Sequence, residues 1–526
     1  HFREAKSRTK KKVSELSLDE RLARYIVEGT KDGLIADLEL KLKEADPLSI
    51  INGPLMAGMD EVGRLFNNNE LIVAEVLQSA EVMKAAVAYL EKFMEKKTDA
   101  TKGKIILATV KGDVHDIGKN LVEIILANNG YQVINLGIKV PPEEIIRAYH
   151  EHRPDAIGLS GLLVKSAQQM VVTATDLREA GITVPLLVGG AALSDKFTRT
   201  KIAPSYQRIV IYCRDAMAGL NVMNRLMDPA EREKIAREFD KEARADAVES
   251  KTTAPALVPA QRSQRVRLIP PLAAPYADRK VRTVPLLREV WEYINPQMLY
   301  VRHLGFKGNF ERALAQRDPK ALELYDVVET IKTEAAQFMK IRVVWQFFDV
   351  ESDGNSIRVY PAHAPRDAAP LHQFTFPRQP VANGLCLADY VMPPEQVGDR
   401  YVRDSIAMFV TTAGEGIRER SAEYKNRGEF LKSHALQALA IETAEAAAEW
   451  LHRRIREDWG FPDPQELTML ERFQARYRGK RYSFGYPACP SLEDQTGIWK
   501  LLRPEEIGVH LTEGFMMDPE ASVSAL

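Results

Sequence analysis

The 526 residues include only three cysteines, Cys213, Cys386 and Cys489, each far from the others. That spacing excludes a disulfide framework and a thiolate zinc site. No apolar run is long enough to cross a bilayer and no signal peptide is evident, so a cytoplasmic location and no membrane partner are expected. Neither charge dominates: 72 Lys and Arg stand against 73 Asp and Glu, a net charge of −1. Nothing in that balance calls for nucleic acid as a partner. Short-period repeats are absent, as is low-complexity sequence outside one linker. What remains, 45% hydrophobic and 28% charged, is the composition of a globular protein long enough for three or four domains.

The basic start, "REAKSRTKKK", reads as a solvated tail over residues 1–17. Residues 18–98 then look wholly helical. "ADLELKLKEA", "PLMAGMDEVGRLF" and "VAEVLQSAEVMKAAVAYLEKFM" carry apolar residues at helical spacing, which predicts a bundle of about four helices. Over 99–228 five apolar runs ("KIILATV", "YQVINLG", "DAIGLSGL", "VPLLVGG", "RIVIYC") alternate with helices expected near Ile117, Pro142, Ser166, Lys196 and after Asp215. Such alternation predicts a doubly wound parallel α/β sheet, flavodoxin-like, with ligands at the carboxyl ends of its strands. Residues 229–277 are a charged helix and a linker rich in proline and alanine. Residues 278–526 mix long helices with strand-like runs and read as an α+β domain.

"KGDVHDIGKN", residues 111–120, lies at the carboxyl end of the first strand. His115 is its one ligand-type side chain. Asp113, two residues earlier, can point the same way in an extended loop and fix the imidazole's tautomer. Gly118 allows a large ligand close to the backbone. Alone, this is also the pattern of a polar loop whose histidine bonds Asp116.

"DVHDIG", "GLSGLLVKS" and "LLVGG" together resemble the cobalamin-binding domain of corrinoid methyltransferases and cobalamin-dependent mutases. The resemblance implies that His115 is the lower ligand of the cobalt, in place of the cofactor's own dimethylbenzimidazole. Asp113 would be its hydrogen-bond partner, and Ser166 would bond that aspartate. Gly112, Val114, Asp116, Gly118, Ser160, Leu162, Gly189 and Gly190 would contact the cofactor, with Ser160 and the Gly189–Gly190 pair lining the slot of its displaced nucleotide tail, where small residues make room. "LVK" at 163–165 departs from the threonine and proline expected there. "NGPLMAGMDEVGRLF" resembles the helical cap of the methyl-transferring members. By position Phe66, Ile72, Val73 and Val76 would cover the methyl group and exclude water, although each also suits an ordinary core.

In "RYSFGYPACP", residues 481–490, Gly485, Pro487 and Pro490 set a rigid loop. Arg481, suited to capturing a carboxylate, lies five residues before Tyr486. With "AEAAAEWLH", "LADYV" and "MDPEASVS" this loop resembles the activation domain of the cobalamin-dependent methionine synthase family, which binds S-adenosylmethionine. The resemblance runs in order from about residue 18 to 526. It implies Arg481 on the carboxylate of S-adenosylmethionine, Tyr486 against it and Glu445 near its positive groups. Asn295, in "EYINP", stands where an aspartate would face the ammonium. Relatives continue beyond "ASVS" with segments that help complete the site.

The implied protein is a methyltransferase portion that carries methyl on cobalamin (as methylcobalamin) from methyltetrahydrofolate to homocysteine. Domains of the same enzyme outside this chain would bind those two, and no zinc is expected in this portion. S-adenosylmethionine and a flavodoxin-like electron donor would restore the inactivated cofactor by reductive methylation. The Asp113–His115 pair could take up a proton when the histidine leaves the cobalt. A monomer is expected. The alternative is a corrinoid shuttle protein whose last domain only docks partners. The cap and "GYPACP" argue against a mutase, and the lack of a basic recognition helix argues against a light-sensing regulator.

Overall fold

The computed structural model describes residues 16–93, 101–246, 262–397 and 400–526. The tail over 1–17 lies outside the described residues except for its last two, and so does the linker over 247–261.

The first helix, Leu18–Glu28, starts at a capping box between Ser17 and Glu20 and stops at Gly29 in the left-handed region. It packs with helices Leu34–Lys41, Met56–Asn67 and Val73–Leu90. Leu22, Ile26, Leu38, Met59, Val62 and Met83 form the bundle's core.

A five-stranded sheet follows: β1 (Gly103–Thr109), β2 (Tyr131–Asn135), β3 (Ala156–Ser160), β4 (Leu186–Gly189) and β5 (Val210–Tyr212). All pairings are parallel, in the order β2-β1-β3-β4-β5. β1 is buried at every residue but one, as a strand covered on both faces must be. The chain leaves β1 first to one side and then to the other, so the crevice between β1 and β3 is the switch point. Helices Ile117–Ala127, Pro142–His152, Val164–Glu179 and Ala216–Met227 cover the sheet. The helix expected at Ser166 begins two residues earlier, because extended Leu163 is its cap. Ser166 therefore lies in the first turn. The crossover expected near Lys196 is broken into the short helices Asp195–Phe197 and Ala203–Tyr206 with an irregular turn between them. Helix Pro229–Asp246 follows.

The last domain is built on an antiparallel sheet: β6 (Lys280–Val284), β7 (Ile341–Asp353), β8 (Ser356–Pro361), β9 (His372–Thr375), β12 (Asp404–Thr412) and β15 (Ser522–Ala525). Its order is β15-β12-β7-β8-β9, with β6 on β7. Two small hairpins project from it, β10 (Glu395–Val397) with β11 (Arg400–Val402), and β13 (His510–Leu511) with β14 (Met517–Asp518). Helix Phe430–Asp458 crosses this domain on a stripe of alanines and leucines that lets neighbours approach closely.

That helix's apolar cluster also contains Ile72, Ala74, Leu77 and Ala80 of the bundle. The bundle therefore packs on the last domain. Polar contacts reinforce this: Lys307 Nζ donates to the Asn69 carbonyl at 2.7 Å, and Lys320 Nζ lies 2.7 Å from Glu75 Oε1.

Candidate functional site

The β1–helix loop holds His115 by several bonds at once. His115 Nδ1 lies 2.6 Å from Asp113 Oδ1, and the His115 amide donates to the same oxygen at 2.9 Å. Asp113 Oδ2 accepts from Ser166 Oγ at 2.6 Å and from the Leu162 amide at 2.8 Å. The carboxylate is fully buried and fully engaged. With Nδ1 committed, Nε2 is the ring nitrogen left for a ligand. His115 bonds Asp113 here rather than Asp116. Asp116 precedes the helix and faces a smaller cavity.

Burial opposes charge on His115, but the Asp113 hydrogen bond and the nearby charges of Glu520, Asp113 and Asp116 outweigh it and raise its pKa. Burial also favours the neutral form of Asp113. Its bonds to His115 and Ser166 nevertheless hold it below the usual carboxylate value. Glu520, from the last domain, is pushed up to about 7, chiefly by burial.

His115 opens onto a cavity of about 880 Å³. One arm runs down between the sheet and its covering helices, lined by Ile105, Leu107, Leu121, Val122 and Leu187. Gly118 and Gly219 lie on this cavity, and a Cβ built on either meets nothing within 4 Å, so side chains there would enter open space. Ser160, Leu162, Gly189 and Gly190 also line it. Gly190 must be glycine, since a Cβ would overlap the Gly161 carbonyl oxygen. A deep apolar slot kept open by glycines beside a histidine with one free ring nitrogen fits a large planar metal cofactor with a long tail.

The last domain closes the other side of the cavity with Arg302, His303, Ile441, Glu445, Ser483, Tyr486, Met516 and Glu520. His303 is fixed twice, through Nε2 to Glu442 Oε1 at 3.0 Å and through its carbonyl to His434 Nε2 at 2.9 Å. Of the four residues expected at the S-adenosylmethionine site, only Glu445 and Tyr486 line this cavity. Arg481 lines a separate cavity of about 340 Å³ and sits 3.7 Å from both Glu445 and Glu449, because the two carboxylates of helix Phe430–Asp458 draw the guanidinium back. Asn295 does not line it either; its side chain accepts from the Gln297 amide at 3.0 Å.

None of the four expected cap residues lines the cavity. Ile72 is buried in the shared cluster, and Val73 packs against Gly305, where a Cβ would lie 3.0 Å from Val73 Cγ2. Val76 is buried and Phe66 half-buried in the bundle's core. Val114, expected at the cofactor, points instead into an apolar cluster of the last domain and is 1% exposed. Gly112 abuts Gly514 of that domain. Arg302, His303, Lys119 and Glu520 were missed from sequence. Glu520 and Lys119 carried a signal, inside the quoted "MDPEASVS" and "KGDVHDIGKN".

Among the described residues, no helix is long and apolar enough to cross a membrane, and no group of three or more His, Cys, Asp or Glu could hold a metal ion.

Comparison with known proteins gives matches to two B12 binding domain families, over residues 18–91 and 103–221. The activation domain of vitamin B12 dependent methionine synthase matches over 286–526. The methionine synthase of Mycobacterium tuberculosis (strain ATCC 25618 / H37Rv) is 37% identical over 547 aligned residues, covering 97% of this chain and 45% of that protein. That of Mycobacterium leprae (strain TN) is 34% identical over 558, covering 98% and 45%. The chain thus spans about half the length of these curated relatives. A crystal structure of the MetH reactivation domain bound to AdoHcy aligns with 48% of this chain and 79% of its own, at 25% identity and a TM-score of 0.43.

Proposed function

The chain belongs to the cobalamin-dependent methionine synthase family, of which it carries the B12-binding and activation domains, and from that premise we propose that it is the cobalamin-carrying and reactivating portion of such an enzyme. One observation carries the reading. A single cavity has His115 on one wall and the activation-domain residues Glu445 and Tyr486 on another.

His115 would hold the cobalt through Nε2, and the glycine-lined slot would take the nucleotide tail. Cobalamin, when bound, supplies a cobalt centre that accepts and gives up a methyl group. Asp113 orients the imidazole and keeps Nδ1 protonated, while Ser166 and the Leu162 amide hold Asp113 in place. The Asp113 carboxylate would stabilise a proton held on the His115 imidazole, and Glu520, whose pKa burial pushes up to about 7, would add a second acid on the activation-domain side. Glu445 faces the cavity as the partner for the positive groups of S-adenosylmethionine, with Tyr486 beside it. Apolar walls exclude water from the reacting centre.

In this arrangement Ile72 and Val73 pack on the activation domain rather than over the cavity. We read it as the reactivating arrangement, and the covering roles of Phe66, Ile72, Val73 and Val76 as belonging to another. Methyltetrahydrofolate and homocysteine would bind to further domains of the same enzyme, a flavodoxin-like protein would supply electrons, and the protein would act as a cytoplasmic monomer.

Gel filtration of the chain after incubation with cobalamin tests the reading. About one equivalent should be retained, with a visible spectrum that changes in His115→Ala. A chain that retains none would overturn it. The off-cavity positions of Arg481 and Asn295 favour a second reading, a carrier whose last domain only docks partners. Calorimetry decides between them: heat of S-adenosylmethionine binding that is lost in Glu445→Ala supports reactivation, and no heat supports the carrier.

A further inference from the structure

The tip of the β13–β14 hairpin meets the cofactor loop through residues that the proposed chemistry does not use. Thr512 Oγ1 donates to the Gly112 carbonyl at 2.6 Å. The backbones of Gly112 and Gly514 touch: a Cβ built on Gly514 would lie 2.7 Å from the Gly112 oxygen and 3.2 Å from its Cα. All three of the atoms nearest to that Cβ belong to Gly112. Gly112 itself sits at φ +78, where glycine is favoured on backbone grounds, but Gly514 is not in that region. A side chain at Gly514 would therefore run first into the Gly112 backbone of the docked domain.

Around this contact three lysines of the cobalamin-binding domain reach the same hairpin. Lys111 pairs with Glu513 at 3.0 Å, Lys139 pairs with Asp518 at 2.6 Å, and Lys165 lies 4.0 Å over the Phe515 ring. Lys165, which departs from the family pattern, finds its partner here. Val114 completes the seat by burying itself in the activation domain's apolar cluster with Met516. Gly112 and Val114 bracket Asp113, so both residues flanking the aspartate that orients His115 are held by the other domain.

We propose that this hairpin tip is a latch: its seating on Gly112 and Val114 makes docking of the activation domain and placement of the Asp113–His115 segment a single event. The latch needs no cofactor, and only its consequence for the cofactor rests on the function proposed above.

Hydrogen exchange on the cofactor-free full chain tests it. In Gly514→Ala the amides of residues 110–118 should exchange at least tenfold faster than in the wild type, while those of β7 and helix Phe430–Asp458 keep their rates. Thr512→Val should act in the same direction, and Thr512→Ser, which keeps the hydroxyl, should restore the wild-type rates. Unchanged exchange at 110–118 in both Gly514→Ala and Thr512→Val would overturn the latch. Cobalamin retention by the wild type, measured alongside, separates the two claims. Retention with unchanged exchange rejects the latch alone; loss of retention with accelerated exchange rejects the proposed function and supports the latch.

Discussion

Asp113 accepts four hydrogen bonds in a site closed to water, two from His115 and one each from Leu162 and Ser166. Asp113→Ala would leave buried donors without an acceptor. That should cost about 3–5 kcal/mol, seen as an earlier denaturant transition of the cobalamin-binding domain. His434 offers a pH test in the activation domain. Burial lowers its pKa from 6.5 to about 4, so it is neutral in the folded protein and donates to the His303 carbonyl. Between those values the unfolded chain binds a proton that the folded chain refuses. Stability should therefore fall by about 3 kcal/mol as pH drops through the window. Urea midpoints measured across it should show that slope, and His434→Leu should reduce it, the remainder coming from groups such as His452, whose pKa is also lowered chiefly by burial. The contact between Asp113 and His115 was legible because two residues in one extended loop share a side. Glu520 and Arg302 were not legible as cavity residues. What brings them to His115 is the docking of one domain on another, which leaves no periodicity in the chain.

At the scale of elements, the slot beside the sheet owes its space to small residues on its helices. Gly219 lies within helix Ala216–Met227 and faces the cavity with nothing near its would-be Cβ. Gly219→Leu should keep or slightly raise thermal stability, since glycine is a poor interior helix former by about 1 kcal/mol. The same change should weaken cobalamin binding by tenfold or more. Opposite signs in the two measurements would separate slot-filling from misfolding. The five strands and the helices between them were readable because a parallel sheet covered on both faces demands continuous apolar runs, as in β1. The broken crossover after Ser194 was not, since Pro204 and local packing interrupt a pattern that still looks helical. The side of the bundle that carries Ile72 and Val73 was ambiguous for another reason. The same apolar residues suit a cofactor face and a protein face, and here they meet the activation domain.

Across the whole molecule, two kinds of contact hold the activation domain in place. Apolar packing joins Ile72, Ala74 and Leu77 to helix Phe430–Asp458. Half-exposed ion pairs surround it, including Lys425 with Glu123 at 2.9 Å and Lys139 with Asp518 at 2.6 Å. Each such pair is worth about 0.2–1 kcal/mol and weakens with salt. Raising salt from about 0.05 M to about 0.5 M, which shortens the Debye length several-fold, should therefore loosen the arrangement. Small-angle scattering should show a larger radius of gyration, with far-UV circular dichroism unchanged. The central claim is that His115 and the activation domain share one cavity so that a methyl group can be delivered into it. The most direct measurement follows label from the methyl of S-adenosylmethionine onto protein-bound cobalamin, anaerobically and with a low-potential reductant. Label should appear on the cobalamin, be lost in Glu445→Ala and be retained in a variant of an exposed residue away from the cavity and the domain interface, such as Glu151→Ala. Bound cobalamin that takes up no label under those conditions would contradict it.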